Sequence, residues 1–289
     1  MSSELLGILF ALIASLTYGL SAAMAKVPVQ IIGSVRSIFW RNIVVIIVLL
    51  LVLAITSFGY AFNLGAALFT ILIALIGYIG LLLFYHALKT GKVGIIAPIV
   101  STTSIFTALF SFLFFGEILP QSKMMAILTI VLGIGLFSLK LKNFRNSAFF
   151  QKESGVPYAL LTCFLWGLMF SFYRIPISTF GPVYTSFFLE LGVVIFSFCT
   201  LLISKKSLKP PEKNLGKHLL VIGLLAALGT FFYNWAGQLI SITIVGAVTA
   251  TRSVVAAFYG KKVFKEIFEP KQIIGIALTL IGLVALAVL

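Results

Sequence analysis

A few charged and polar side chains lie inside otherwise apolar runs of this chain, where they could do chemistry. Glu190 and Arg252 lie roughly 10 Å and roughly 9 Å inside their runs at 1.5 Å per helical residue. Both runs begin on the same side, so the two side chains share a depth. A charge in hydrocarbon costs at least a few kcal/mol unless it is paired or faces water. We therefore predict that Glu190 and Arg252 pair across a cavity that binds a solute or a proton. The alternative is a structural ion pair that joins two helices.

Three polar residues in the first part of the chain are further candidates for this site. Arg41 could bind a carboxylate, or its guanidinium could extend to the rim of the hydrocarbon layer. Asn42 lies next to it. His86 follows Tyr85 at the end of an apolar run, where it could relay a proton or lie solvated at the interface.

Amide, hydroxyl and aromatic groups complete the set of candidates. Asn234 and Gln238 carry amides that need partners in hydrocarbon. Thr103 belongs to the run Ser101-Thr102-Thr103-Ser104, whose hydroxyls could line a pathway or bond back to their own helix. Tyr18 and Trp166 could form walls for an apolar or aromatic solute. Pro98 lies just before the hydroxyl run and predicts a helix kink.

The composition identifies the elements that must position these groups. Of the 289 residues, 61% are hydrophobic and only 10% are charged, far from the balance of a soluble domain. Such a chain has too few polar residues to cover a globule, which excludes a soluble enzyme, a disordered chain and a disulfide scaffold. We expect a multi-pass integral membrane protein, in the plasma (cytoplasmic) membrane, with the lipid bilayer as its surroundings.

Ten apolar runs are long enough to cross a bilayer as helices, and they lack the alternating polarity of barrel strands. The fold class is therefore all-α and polytopic. The runs cover approximately residues 5–25, 35–56, 64–88, 94–115, 123–140, 156–178, 183–203, 218–241, 246–264 and 271–289.

The chain repeats itself. A shift of 148 residues aligns Gly7–Pro28 with Gly155–Pro176 without a gap, and it places Asn42 on Glu190. Each half then holds five helices, and because five is odd, the second half must be inverted relative to the first, as in secondary transporters. We predict a first repeat at 1–141, a basic linker at 142–154 and a second repeat at 155–289, arranged around a central cavity. The counterpart of Arg252 in the first repeat lies near Thr103.

The charges predict an orientation. The net charge is +14, and most of the 21 Lys and Arg fall in the connections after the odd-numbered spans. The positive-inside rule makes those connections cytoplasmic and both termini external. This reading also explains the basic charge without a nucleic-acid partner.

With these features the sequence resembles the ten-helix EamA-type members of the drug/metabolite transporter superfamily. The resemblance is carried by Tyr18-Gly19, Lys26 and Arg41 in the first repeat, by Phe115-Gly116-Glu117 at the end of its fourth span, and by the matching Phe264-Lys265-Glu266 with Gly275 and Gly282 in the second repeat. It implies a carrier for small organic solutes with a cavity lined by both halves. The family arrangement also implies cytoplasmic termini, opposite to the orientation that the charges predict.

The resulting functional hypothesis is a secondary transporter that moves an amino acid or similar metabolite, outward, by alternating access. A proton-coupled exporter of cationic drugs and a non-transporting receptor are the alternatives. Neither a phosphate-binding loop nor an HExxH or Gly-x-Ser-x-Gly motif occurs, so we expect no enzymatic activity, cofactor or metal. The solute, the coupling ion (a proton is one option) and the oligomeric state are not determined by the sequence.

Overall fold

The structure, a computed structural model, describes residues 2–55, 60–91, 93–138, 151, 154–264 and 270–288. Every regular element in these ranges is an α-helix. In chain order the helices are α1 Ser3–Met24, α2 Lys26–Ile32, α3 Ser34–Ile55, α4 Leu64–Thr90, α5 Val93–Ser101, α6 Thr103–Phe115, α7 Gln121–Ser138, α8 Val156–Phe172, α9 Arg174–Ile203, α10 Lys213–Leu239, α11 Ile242–Thr249, α12 Arg252–Phe264 and α13 Pro270–Val288. The predicted basic linker lies almost entirely outside the described residues, as do Lys265 and Glu266.

The helices account for the ten predicted membrane spans. Six helical stretches of the described chain have the length and apolar composition to cross a bilayer, and four shorter apolar helical segments complete the set. Large apolar side chains remain exposed along these helices, among them Ile31 at 65%, Ile55 at 81% and Ile203 at 83%. A surface of this kind is stable against lipid and not against water. The chain is therefore an integral, multi-pass membrane protein.

The sequence repeat is also a repeat of backbone geometry. In the first half α1 is followed by the short helix α2, which ends at Gly33, where φ is +81° and ψ is 165°. In the second half α8 is followed by the opening turns of α9, which break at Gly181 with φ of +84° and ψ of 170°. Gly33 and Gly181 are 148 residues apart, and only glycine adopts this backbone conformation without strain. In each half, a glycine with positive φ thus ends the short helical segment and precedes the second span.

The fourth and ninth spans are both broken helices. The fourth consists of α5 and α6, which meet at Thr102, and the ninth consists of α11 and α12, which meet at Ala250 and Thr251. The predicted interruption of the fourth span is present, but it lies at Thr102 and not at Pro98. Irregular backbone at membrane depth is tolerated only where protein or a cavity covers it. These two breaks therefore face the interior of the protein.

The hydroxyls around the first break bond to their own helices. Ser101 Oγ donates to the Ala97 carbonyl at 3.1 Å and Thr102 Oγ1 to the Ile99 carbonyl at 2.7 Å. Thr103 Oγ1 donates to the Val100 carbonyl at 2.6 Å. Of the two roles open for these hydroxyls, the structure shows the local one, which satisfies carbonyls freed near the break.

The two halves interlock through repeat-related helix pairs. Helix α1 packs against α10, and its counterpart α8 packs against α4; α7 packs against α13, and α3 against α9. The equivalent glycines Gly19 and Gly167 show the same relation, because each packs against a helix of the opposite half. A Cβ atom at Gly19 would lie 2.7 Å from the Arg252 carbonyl oxygen, and one at Gly167 would lie 2.3 Å from the Phe106 Cβ. These glycines let the first span of each half approach the broken span of the other.

Replacing Gly167 with alanine is therefore expected to destabilise the protein. The new Cβ would overlap Phe106 and the backbone behind it, and overpacking of this kind costs about 1–3 kcal/mol. The melting temperature of the purified protein in detergent should fall. Gly135→Ala is the matched control, because a Cβ at Gly135 meets nothing within 4 Å. If Gly167→Ala melts at or above the wild-type temperature, the close helix contact is wrong.

Candidate functional site

A central cavity of about 110 Å³ lies between the two halves. This space has room for several water molecules. Four helices of the first half and three of the second line it. The lining residues are Tyr18, Gly19, Ser21, Ala22, Arg41, Gly77, Leu81, Phe84, Tyr85, Ala97, Val100, Trp166, Met169, Phe170, Tyr173, Glu190, Val193, Arg252 and Ala256. Of the predicted site residues, five reach it directly: Tyr18, Arg41, Trp166, Glu190 and Arg252.

The Glu190 carboxylate is held on both oxygens. Asn42 Nδ2 donates to Oε2 at 2.5 Å, and Thr230 Oγ1 donates to Oε1 at 2.6 Å. The Arg41 Nη2 lies 3.7 Å from Oε2. Tyr18 extends the network, because its hydroxyl donates to Thr230 Oγ1 at 3.0 Å. Both oxygens of this buried carboxylate therefore have a hydrogen-bond donor.

Asn42 and Glu190 are equivalent positions of the repeat, and they touch each other. A residue and its repeat equivalent come into contact only where the pseudo-twofold axis passes between them. Asn42 is fully buried and Glu190 is 8% exposed. The axis of the inverted repeat therefore passes through the Asn42–Glu190 hydrogen bond, beside the cavity.

The predicted ion pair between Glu190 and Arg252 is wrong. Glu190 pairs with Arg41, whereas the Arg252 guanidinium lies 5.5 Å from the centre of the Trp166 ring, and its Nη2 donates to the Val100 carbonyl at 3.4 Å. Val100 is in the last turn of α5, and the carbonyls at the end of a helix attract a cation. The depth of the two residues along their helices was enough to predict that both lie beside one cavity. It did not determine the direction in which each side chain projects.

Arg41 is turned inward and does not reach the rim of the bilayer. It is 9% exposed, and its Nη1 donates to the Tyr85 hydroxyl at 3.3 Å. Its Nε is buried and has no hydrogen-bond partner in the described chain. Arg41 thus has an unused donor beside the cavity, which suits a ligand or an ordered water.

Aromatic side chains from both halves form the walls. Tyr18 comes from α1, and its repeat equivalent Trp166 comes from α8. Phe170 and Tyr173 belong to the wall as well and were not predicted. Trp166, Phe170 and Tyr173 are spaced by four and three residues, which places them on one helix face. That spacing is the signal in the sequence that could have identified them. Tyr233 lies behind the wall, its ring 4.8 Å from that of Phe170.

Five predicted site residues do not line the cavity: Asn42, which hydrogen-bonds to the lining residue Glu190, and four others. His86 and Gln238 are exposed on the outside of their helices, and the His86 ring packs against Tyr158 at 4.4 Å. Thr103 is buried and bonds to its own helix, and Asn234 Nδ2 donates to Ser186 Oγ at 2.9 Å. These four side chains were placed by residue type and approximate depth, which do not specify the face of a helix.

A second polar cluster joins the two halves away from the cavity. Arg174 Nη1 lies 3.9 Å from Glu117 Oε2, and Ser241 Oγ also hydrogen-bonds to the Glu117 carboxylate. Ser241 at the same time caps α11 by accepting from the Thr243 amide at 3.2 Å. Glu117 therefore bridges one half of the protein to the other.

A double-mutant cycle tests the observed pairing against the predicted one. Glu190→Gln and Arg41→Gln should be coupled by at least about 0.5 kcal/mol, because the residues share a buried contact, whereas Glu190→Gln and Arg252→Gln should add within about 0.5 kcal/mol. The readout is the free energy of unfolding in mixed detergent micelles. Strong coupling to Arg252 with none to Arg41 would contradict the structure.

Comparison with known proteins assigns the chain to a family. The EamA-like transporter family matches it twice, at residues 5–139 and 153–288. A protein of Archaeoglobus fulgidus described as an "Uncharacterized transporter" is 25% identical over 289 residues, covering 98% of both chains. An uncharacterized protein of Methanocaldococcus jannaschii is 38% identical over 71 residues, which are 25% of this chain and 52% of that one.

One solved crystal structure has the same fold. It superposes with a TM-score of 0.71 at 16% identity, over 97% of this chain and 96% of its own. At that identity the likeness concerns the fold alone. The two family matches together span nearly the whole sequence, one on each half of the repeat. The chain therefore belongs to the EamA-like transporter family.

Proposed function

We propose that this membrane transporter carries a small organic solute with a carboxylate, such as an amino acid or a similar metabolite, by alternating access through the central cavity. The observation that supports the proposal most is the composition of the cavity. Arg41 and Arg252 line it together with Glu190, and Tyr18, Trp166, Phe170 and Tyr173 supply aromatic walls. Few polar groups in a mostly apolar cavity between two halves are typical of a solute site.

The charges of the cavity favour an anionic group on the solute. Two guanidiniums face one carboxylate, and that carboxylate is already paired with Arg41 and bonded to Asn42 and Thr230. Arg252 contacts a carbonyl and an aromatic ring. A solute carboxylate would offer it an opposite charge with bidentate geometry. The excess of positive charge disfavours a cationic drug at this site.

The contacts around the cavity support a carrier that opens to one side at a time. Ala22 and Tyr85 line the cavity near the ends of α1 and α4, which lead into the basic connections carrying Lys26 and Lys89. Toward the opposite side, the Arg174–Glu117–Ser241 cluster holds the halves together. Rocking of one repeat against the other would break this cluster and open the cavity there.

We propose that transport is outward. If the basic connections face the cytoplasm, as the charge distribution predicts, the cavity in this conformation is directed toward the cytoplasmic side. A solute would then enter from the cytoplasm and leave after the Arg174–Glu117 contact opens. Cysteine labelling near residue 145 and near the C-terminus tests the orientation on which the direction depends.

Flux through proteoliposomes tests the proposed solute class. We expect uptake of labelled amino acids or other carboxylates but not of organic amines without a carboxylate. Arg252→Gln should lower uptake about tenfold or more, because a charge-assisted hydrogen bond to a bound anion contributes about 1.5–3 kcal/mol. Lys217→Gln, which removes a positive charge outside the cavity, is the matched control and should transport normally.

Two outcomes would overturn the proposal. Preferential transport of organic cations, unaffected by Arg252→Gln, would favour the drug exporter. Saturable binding of a solute without flux, in protein that melts normally, would favour a receptor.

A further inference from the structure

A second and larger cavity, of about 590 Å³, lies at the end of the protein where the basic connections emerge. Its walls come from α2, from the start of α3, and from the segment 207–218 that leads into α10. It is separate from the central cavity, since the two share no lining residue. The proposed transport does not use it.

Positive charge is concentrated around this second cavity. Arg36, Lys209 and His218 line it, and four more lysines lie in the same stretch, at 205, 206, 213 and 217. Glu212 is the only acidic residue between positions 204 and 218. A phosphate would therefore meet a strongly positive surface here.

Arg36 is positioned to bind an anion within the cavity. Its Nη2 donates to the Lys209 carbonyl at 2.9 Å, which ties the start of α3 to the α9–α10 connection. Its Nε is buried and has no hydrogen-bond partner in the described chain. A fixed guanidinium with an unused donor next to a lysine is a common arrangement for binding phosphate oxygens.

Ser207, Glu212 and Asn214 also line the cavity, and the rest of its wall is apolar and partly open. Val27, Ile31 and Leu215 line the cavity. Ile31 is 65% exposed and Val27 is 38% exposed, although both lie on a helix at the edge of the membrane bundle. A cavity with cationic groups on one side and exposed aliphatic groups on the other matches a ligand that has an anionic head and a hydrocarbon tail.

The equivalent place in the second half can be compared with this cavity. The equivalent of Arg36 in the second half is Tyr184, 148 residues later, and its ring stacks on Phe180 at 5.6 Å and contacts Phe62 at 6.1 Å. Tyr60 covers Gly181 nearby, where a Cβ would lie 2.5 Å from its ring. The corresponding place in the other half is thus filled by aromatic packing. The fold therefore does not require an open basic cavity at this position.

We propose that this cavity binds the phosphate headgroup of an anionic phospholipid. Arg36 and Lys209 donate to the phosphate oxygens, and an acyl chain lies along Ile31 and Val27. Basic pockets between transmembrane helices are known places for lipid headgroups. Because the cavity joins the end of α2 to the start of α10, a lipid bound there stabilises the contact between the first and the second half.

Titration with short-chain lipids tests the proposal. Purified protein in neutral detergent is titrated with dioctanoyl phosphatidylglycerol, dioctanoyl phosphatidylcholine or inorganic phosphate, and the melting temperature is followed. Only phosphatidylglycerol should raise it in a saturable way. The double variant R36Q/K209Q should weaken this binding about tenfold or more. The variant K205Q/K206Q also removes two positive charges, but from residues of the α9–α10 connection that do not line the cavity. It should bind within about twofold of wild type.

Three results would overturn the lipid site. Phosphatidylcholine could stabilise the protein as well as phosphatidylglycerol, inorganic phosphate alone could reproduce the effect, or both double variants could lose binding equally. Lys209→Gln alone serves if R36Q/K209Q fails to fold, because the Lys209 carbonyl that accepts from Arg36 is kept. Unchanged phosphatidylglycerol binding by Lys209→Gln would then count against the site.

Discussion

The structure depends on one carboxylate that is buried in the middle of an apolar helix bundle. A carboxylate in hydrocarbon costs at least a few kcal/mol unless other groups pair with it. For Glu190 these groups are Asn42, Thr230 and Arg41, which lie on α3 and α10. Helix α9 must therefore meet both helices at this depth, which fixes the first half of the protein against the second. Removing one partner from such a pair is strongly destabilising, because it leaves the other charge buried.

The same contact defines the symmetry of the molecule and the place of the cavity. Asn42 and Glu190 are repeat equivalents, so the axis that relates the halves passes between them. The cavity lies beside this axis, and both halves contribute to it: Tyr18 and Trp166 are themselves equivalent and face it together. The two halves differ at the polar residues in and beside the cavity. A carboxylate lies opposite an amide, and the counterpart of Arg252 in the first repeat lies near Thr103, so that the site carries more positive than negative charge.

The sequence predicted the architecture well because its signals are strong ones. Apolar runs of about 20 residues can do little other than span a bilayer, and a repeat of five spans must be inverted. The repeat also identified Asn42 and Glu190 as equivalent positions, and the structure brings them into contact. It did not predict the partners of Arg252, because the direction of that side chain depends on two helix breaks. The break at Ala250 and Thr251 directly precedes Arg252, and the break at Thr102 leaves the Val100 carbonyl of α5 free to accept from it. The exposed positions of His86 and Gln238 could not be predicted from depth, since in nearly uniform apolar helices no polar stripe marks the inner face.

The arrangement of the two halves depends on the Asn42–Glu190 contact, and exchanging the two residues tests that contact most directly. If the pseudo-twofold axis passes between them, the variant N42E/E190N retains one carboxylate and one amide in contact beside Arg41. Its melting temperature should then be higher than that of either N42E, which buries two carboxylates, or E190N, which leaves Arg41 without its partner. The decreases in melting temperature of N42E and E190N can be added to give the value expected if the two residues do not interact. An exchange variant that melts no higher than this value would contradict the contact and the arrangement of the halves built on it.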